Sequence, residues 1–455
     1  MLENLLIAIS NKVKNTVGSK RDLLQFIADR DISSAKELFE NNSDIVRRAM
    51  QEYDPRQHEV MKRKDKERDG QGDYIVEKLP RNWQEYINEI ALFFLLANPI
   101  SWKAGKEHSE AFSAFKDMLR SLRFDSSMRQ FKRTAGSETQ CAKLYRLYQD
   151  RDGLPRVEIV ILSASNDWDV RPLFDRYGHL LAFGYGYYTK EAGVTVEHFD
   201  IETPDEIYRC KRGSFGVWDI AQSKNETRKI NVIYAKQSVE WDNAQHRINR
   251  DEFTDSRIAD TNNYFADPIA AATTDVVNSL PKQDTAGRLI QLNGADSDFR
   301  YINPPTAPEL QKMEKEEIRR SILQDTFTPD FDFSKMVGLG TLSGEAIKRA
   351  LILGYIKRAR NIEIYEPLVD REKNLIIAIM QNVTHIGMKD QLEALKTDLT
   401  FEFSEPFSED VSKKIQDLSA AVSAGILSVE EAVSRLAFTD NQEEELSRIM
   451  EAKKS

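Results

Sequence analysis

At 455 residues, with 40% apolar and 30% charged side chains, the chain is long enough for about two to four domains, each with a sizeable core. No apolar run approaches the roughly 18 residues of a membrane span, and the two cysteines, Cys141 and Cys210, exclude a disulfide framework or cysteine metal site and fit a reducing compartment. A net charge of −10 argues against a conventional DNA-binding domain, which needs basic excess to neutralise phosphates, but not against a protein that surrounds DNA without gripping it.

Residues 1–74 are predicted to be an N-terminal helical segment. MLENLLIAISNKVKN is amphipathic, with an early Glu3 and no small-residue cleavage site, so it is not expected to be a signal peptide. DLLQFIADRD and SAKELFENNSDIVRRAMQEYD follow at helical spacing, and HEVMKRKDKERDGQGD interleaves both charge signs as a solvated helix end and loop. Residues 75–240 are predicted to be an α+β body. Pro80 and Asn82 start a helix with Trp83, Ile87, Ile90, Ala91 and Phe94 on one side, and Asn98-Pro99 ends it. From 156 the period changes to two: VEIVILSA, HLLAFGYGYY, GVTVEHF, EIYRCK and KINVIYA are antiparallel strand candidates, with a turn and short helix in NDWDVRPLFDRYGH between the first two.

Residues 241–264 return to helix with a thin apolar stripe (Ala244, Ile248, Phe253, Ile258, Ala259), which predicts a helix either exposed or packed on copies of itself. Between 265 and 308 the composition shifts to Ala, Thr, Asp, Gly and Pro, a small irregular β module with RLIQLN and FRYIN as strand candidates. A charged helix covers 309–324. The stretch 325–342 reads as an extended loop, with Pro329, alternating Asp and Phe, then Gly338 and Gly340. Thr341 or Ser343 caps a long helix with Glu345 in its first turn, and Pro367 is predicted to kink or break it near Glu366. That helix and a return strand ending at Pro406 fill 343–407. Residues 408–455 read as three helices, with Gly425 as a stop and Ser428 and Glu431 as a capping box.

Chemistry-bearing motifs are sparse. Gly338-x-Gly340-x-x-x-Gly344 is a cousin of phosphate-cradling loops, but no apolar strand precedes it and no Lys-Ser/Thr follows. Its glycines also suit a mobile loop. The six histidines lack metal spacing and no G-x-S-x-G occurs, so no catalytic residue, metal site or cofactor is predicted, and no enzyme.

Four stretches resemble the portal proteins of tailed double-stranded-DNA bacteriophages, of the Bacillus-phage type. They are Leu79-Pro80-x-Asn82-Trp83 with Phe94-Leu95-Leu96-Ala97-Asn98-Pro99-Ile100; Glu138-Thr139-x-x-Ala142-Lys143-Leu144; the run GLGTLSGEAIKRALILGYIKRARNIE; and Gly425-Ile-Leu-Ser-Val-Glu-Glu-Ala. The resemblance covers about 75–455 and implies a helix pair over 124–148. It implies an α+β portal-like protomer in a homo-oligomeric ring, usually of twelve copies, at one capsid vertex of the virion. It further implies a wing (75–240), stem helices (241–264 and 309–324), a clip (265–308), a channel loop (325–342), a long kinked helix with a wing return (343–407) and a crown (408–455). The implied partners are the terminase large subunit, a head–tail adaptor, the scaffold and major capsid proteins, and double-stranded DNA passing through without sequence specificity; no membrane is involved. The candidate channel-loop residues are Phe327, Phe331, Phe333, Lys335 and Met336, although these aromatics could equally pack on the body. Lys312, Lys315, Arg319 and Arg320 could face DNA phosphates down the stem, or pair with the interleaved Glu314, Glu316 and Glu317. Two other readings stay open: a nucleotide-binding α+β enzyme built on the Gly338–Gly344 loop, and a non-viral oligomeric scaffold.

Overall fold

Three short helices open the described chain in this computed structural model: α1 (Lys20–Ala28), α2 (Ile32–Leu38) and α3 (Ser43–Tyr53). The structure describes residues 20–66, 74–191, 193–213, 216–266, 270–272, 299–301, 308–331, 351–407 and 411–436, with isolated positions at 349, 446, 448, 449 and 451. The helix expected at the extreme N-terminus, the strand candidate RLIQLN, the glycine loop and the capping residues Thr341 and Ser343 lie outside the described residues. Leu23, Ile27, Ile32 and Ala35 are buried against Phe199, Ile201, Tyr208 and Trp218, so α1 and α2 cover one face of a sheet.

Helix α4 (Trp83–Leu96) begins after Asn82, as its sequence signal predicts, and buries Ile87, Ala91 and Phe94. A short strand β1 (Ser101–Lys103) leads to α5 (Ser109–Ser121) and α6 (Phe124–Glu138). The expected helix pair over 124–148 is only half helix. Thr139 takes a left-handed φ of 68° that ends α6, and β2 (Gln140–Gln149) follows. From there the side chains alternate: Cys141 and Tyr145 enter the helical core while Ala142 and Leu144 enter the core between the sheets.

Strand β2 lies between β3 (Pro155–Leu162) and β9 (Val232–Lys236), antiparallel to both. A second antiparallel sheet runs in the order β4 (Asp169–Phe174), β5 (Leu180–Glu191), β6 (Val194–Glu202), β7 (Glu206–Arg212) and β8 (Trp218–Lys224). One expectation is corrected here, and one strand lay outside every expectation. Asp169–Phe174, read as turn and short helix, is an edge strand; it pairs with β5 while Val170 and Leu173 are buried. Strand β8 carries mostly exposed polar residues beyond the buried Trp218, so it left no alternation in the sequence to find. The layers are thus helices, a three-stranded sheet, a five-stranded sheet and the N-terminal helices.

Helix α7 (Gln245–Ala266) is followed by the paired strands β10 (Ala270–Ala272) and β11 (Phe299–Tyr301), then α8 (Pro308–Asp325). The long helix α9 (Ile352–Ile379) runs through Pro367 without a break, contrary to that part of the expectation. The missing N–H would have met the carbonyl of Glu363, one turn back, and both residues are exposed, so the freed acceptor is not forced into the interior. A π-helical turn (Met380–Thr384), α10 (Lys389–Asp398) and β12 (Thr400–Glu402) return the chain to β1. Helices α11 (Val411–Ser423) and α12 (Val429–Leu436) are separated by Gly425 at φ +69°, and the Glu431 N–H donates to Ser428 Oγ at 3.1 Å, as their sequence signals predict. Among the described residues no helix is long and apolar enough to cross a membrane.

Candidate functional site at the base of the helical hairpin

Helices α7 and α8 form an antiparallel hairpin. Arg247 meets Asp325 at 3.2 Å at one end, Arg250 meets Glu314 at 2.6 Å, and Lys315 pairs with Asp255 further along. Ile248 and Ile322 join Ala49, Ile87 and Trp241 in a small core that fixes the hairpin to the body. The polar face of α7 is largely buried as well: Asp251, Glu252, Ser256 and Asp260 are all less than a tenth exposed.

Their burial has a specific cause. The extended segment 74–82 lies along α7, and its N–H groups at Glu77, Leu79 and Arg81 donate to Asp260, Ser256 and Glu252 at 2.7, 3.0 and 2.9 Å. Alternate residues of an extended strand repeat every ~6.7 Å and every fourth helical residue every ~6.0 Å, so the two registers stay matched over three rungs. The Trp83 indole N–H donates to Asp251 at 2.8 Å, and Arg63 pairs with Asp260 at 2.5 Å. His58 closes the end of the ladder, with Nδ1 at 2.7 Å from Glu252 and Nε2 at 2.8 Å from the Glu52 carbonyl. Two acceptors require both ring nitrogens to carry hydrogen. Burial opposes that charge, but the Glu252 carboxylate outweighs it and the His58 pKa is raised. Thus the thin apolar stripe of α7 is completed by its own chain, with no need of a second copy.

The hairpin leads into the loop through a tight cap. Phe327 sits at φ +52°, its N–H bonded to Gln324 O, while the Thr328 N–H reaches Leu323 O at 2.8 Å. This paired closure usually uses glycine at the left-handed position. The Arg360 guanidinium lies 4.2 Å from the centroid of the Phe327 ring. Beyond it, Tyr86 Oη donates to Pro329 O at 3.4 Å and accepts from the Phe331 N–H at 3.3 Å, and Asp330 pairs with Arg319 at 2.7 Å. The Phe331 ring stands 6.4 Å from that of Phe94. On the far side of the loop, Phe94 lies flat on Gly354, where a Cβ would overlap the ring, and edge-on to Tyr355 at 5.7 Å. One aromatic ring of α4 therefore receives both ends of the segment between 331 and 354.

Phe327 and Phe331 are half-buried against the body, while Phe333, Lys335 and Met336 lie outside the described residues. Of the basic residues on α8, Lys315 and Arg319 are tied to Asp255 and Asp330, and Lys312 lies a loose 4.0 Å from Glu316. Arg320 is exposed and makes no ion pair among the described residues.

Two buried charge clusters hold α9 to the body. Glu240 takes both Lys132 and Lys357, the latter at 3.2 Å; burial pushes its carboxyl up, but the two ammonium groups outweigh it and hold the pKa at about 2. Burial draws Lys357 down to about 8. Glu372 accepts from Lys143 and from Tyr145 Oη, each at 2.5 Å.

The sequence model of the family described as "Phage portal protein, SPP1 Gp6-like" matches residues 30–455. The chain belongs to the phage portal protein family. No curated protein matches it significantly. Among solved structures it is similar to chains of "Neck of native GTA particle computed with C12 symmetry" (12% identity, TM-score 0.41, 79% of this chain and 91% of that one) and "Neck of empty GTA particle computed with C6 symmetry" (12%, 0.41, 79% and 89%). A chain of "Virion of native gene transfer agent (GTA) particle" is similar at 11% identity and TM-score 0.37, over 79% and 89%. Likenesses this loose add no argument of their own.

As a portal-family chain it is an α+β structural protein, and its mixed helices and sheets accord with that fold. The ladder residues Glu252, Ser256 and Asp260 escaped the sequence reading, although their four-residue spacing was visible. Nothing in the sequence linked them to alternate N–H groups near residue 79. Among the described residues one group, Glu107, His108 and Asp398, has metal-like proximity. It is largely exposed, and Asp398 already accepts from the Gly105 N–H.

Proposed function

We propose that this chain is the portal subunit of a tailed phage or phage-like particle. Copies assemble into a ring, usually of twelve, at one capsid vertex, through which DNA passes during packaging and ejection. The observation that carries this is the family match over residues 30–455. On this reading residues 75–240 form the wing, 241–264 and 309–324 the stem, 265–308 the clip, 325–342 the channel loop and 408–455 the crown. The terminase large subunit and a head–tail adaptor dock on the ring, and scaffold and major capsid proteins surround it during assembly in the host cytoplasm.

The work proposed is mechanical rather than catalytic. Phe333, Lys335 and Met336 belong to the part of the loop that reaches DNA, and Phe327 and Phe331 fix its base. Arg320 and the loosely held Lys312 are the stem cations left to meet passing phosphates; Lys315 ties the hairpin together and Arg319 holds the loop base instead. A net charge of −10 suits a wall that DNA slides past.

Negative-stain electron microscopy of the purified protein, with its mass in solution, tests the assignment. Rings with a central hole and near twelve-fold symmetry are expected. A chain that stays monomeric even with its scaffold and capsid partners would sink it. Removing residues 333–340 should then leave the rings intact but impair DNA packaging.

A further inference from the structure

Helix α9 presents to solvent a face on which exposed isoleucines stand among charged side chains. Ile352, Ile356 and Ile364 are 53%, 39% and 36% exposed, with Ala359 and Pro367 exposed between and beyond them. The opposite face carries Gly354, Lys357, Asn361 and Tyr365 into the body. At ~100° per residue Ile352, Ile356 and Ala359 share one face with Glu363 set among them, while Arg360 and Ile364 lie towards its edge, so the ridge is apolar with a charge at its centre.

A recess of matching character lies across the body. Helix α3 and the segment 236–242 enclose a cleft of about 420 Å³, lined by Ile45, Ala49 and Val239 and rimmed by Arg48, Lys236 and Asp242. Ile45 is 57% exposed there. The cleft and the ridge lie on opposite flanks, because the chain between Gln237 and Trp241 separates them. Gln237 and Glu240 reach α9 through Tyr365 at 2.8 Å and Lys357 at 3.2 Å. Trp241 turns the other way, to Glu52 at 3.1 Å and Tyr53 at 5.6 Å on α3.

We propose that the isoleucine ridge of α9 in one subunit seats in the α3 cleft of the next copy, as the repeating contact of the ring. This rests on the portal reading above. A ring contact is head-to-tail and needs two different, complementary surfaces on opposite flanks of one chain, whereas a two-fold dimer sets one patch against itself. Charge agrees with the pairing. Glu363 within the ridge and Glu366 beside it are exposed and make no ion pair among the described residues. The cleft rim offers Arg48 and Lys236, held only by surface pairs to Glu52 and Glu40 that exchange at little cost. Arg360, on the same face, covers Phe327 at the base of the loop. The contact therefore adjoins the loop anchor, and each subunit's loop base is set against its neighbour.

The test joins cysteines at Ile45→Cys and Ile356→Cys in the full chain with a short bis-maleimide; the native Cys141 and Cys210 are both buried and do not compete. In assembled rings the double variant should give a ladder of covalent dimers, trimers and higher species on a denaturing gel, and neither single variant should. Ile356→Asp should lower the ring fraction at least tenfold while the subunit keeps the wild-type circular dichroism of a folded chain. Wild-type rings with no ladder from the double variant, and rings that persist in Ile356→Asp, would overturn this contact and leave the portal reading standing. A wild type that forms no rings with its capsid partners would overturn both.

Discussion

At Gly354 the absence of a side chain decides the crossing of two helices. Phe94 of α4 lies where a Cβ would stand, so Gly354→Ala must displace a ring that also meets Phe331, Tyr355 and Phe407. Overpacking of this kind should cost ~1–3 kcal/mol in denaturant-measured stability. Limited proteolysis in the loop should speed up as well, because the displaced ring receives both loop ends; unchanged cleavage would refute that link. Phe327 offers a second comparison. It holds a left-handed position at φ +52°, which glycine takes without strain and alanine does not. Both Phe327→Gly and Phe327→Ala lose the Arg360 stack, so the glycine variant should be the more stable of the two by ~1 kcal/mol. Equal stabilities would show that the cap is not strained.

At the scale of elements, the hairpin and the ladder on α7 explain each other. A helix with few apolar residues is buried because an extended strand supplies donors at its own repeat. Ser256→Ala removes the buried hydroxyl that the part-buried Leu79 N–H donates to, a loss of ~1 kcal/mol. Hydrogen–deuterium exchange should then accelerate in the peptide 74–82 and spare the β-sheets. His58 adds a pH dependence. Its folded pKa is raised above the ordinary value of 6.5, so the folded state binds the proton more tightly. The stabilisation is complete below about pH 6.5 and is lost as the pH rises through the folded pKa. After correction for intrinsic exchange, protection over 58–66 should fall on that rise, and His58→Gln should abolish the trend.

Across the whole molecule, α9 is fastened through charges rather than through apolar contact alone. Glu240 has an ordinary pKa of 4.5 and a folded value of about 2. The folded state thus binds fewer protons between those values, and the stabilisation present above pH 4.5 is lost as the pH falls towards 2. The difference is worth ~3 kcal/mol. Global unfolding by acid should steepen in that window. Glu240→Gln should flatten it and cost ~3–5 kcal/mol at neutral pH, because Lys132 and Lys357 would remain buried without their counter-charge. A variant with wild-type acid sensitivity would place the transition elsewhere.

The sequence by itself determined what local rules govern. Helix starts at Asn82 and Ser428 and the stop at Gly425 follow from caps and backbone preference, most strands of the body from alternation, and membership of the portal family from four short stretches in order. Tertiary structure decided what depends on partners far along the chain. Residues 140–149 are strand because β3 and β9 flank them, and 169–174 because β5 does; their local composition could not say so. Pro367 fails to break α9 because it and Glu363 lie on the exposed side, while the buried side of the helix is pinned by Glu240 and Tyr145. The polar residues of α7 are interior because backbone N–H groups some 180 residues earlier meet them. Hydrogen bonds and packing between distant segments outweigh local propensity wherever burial leaves a polar group no other partner.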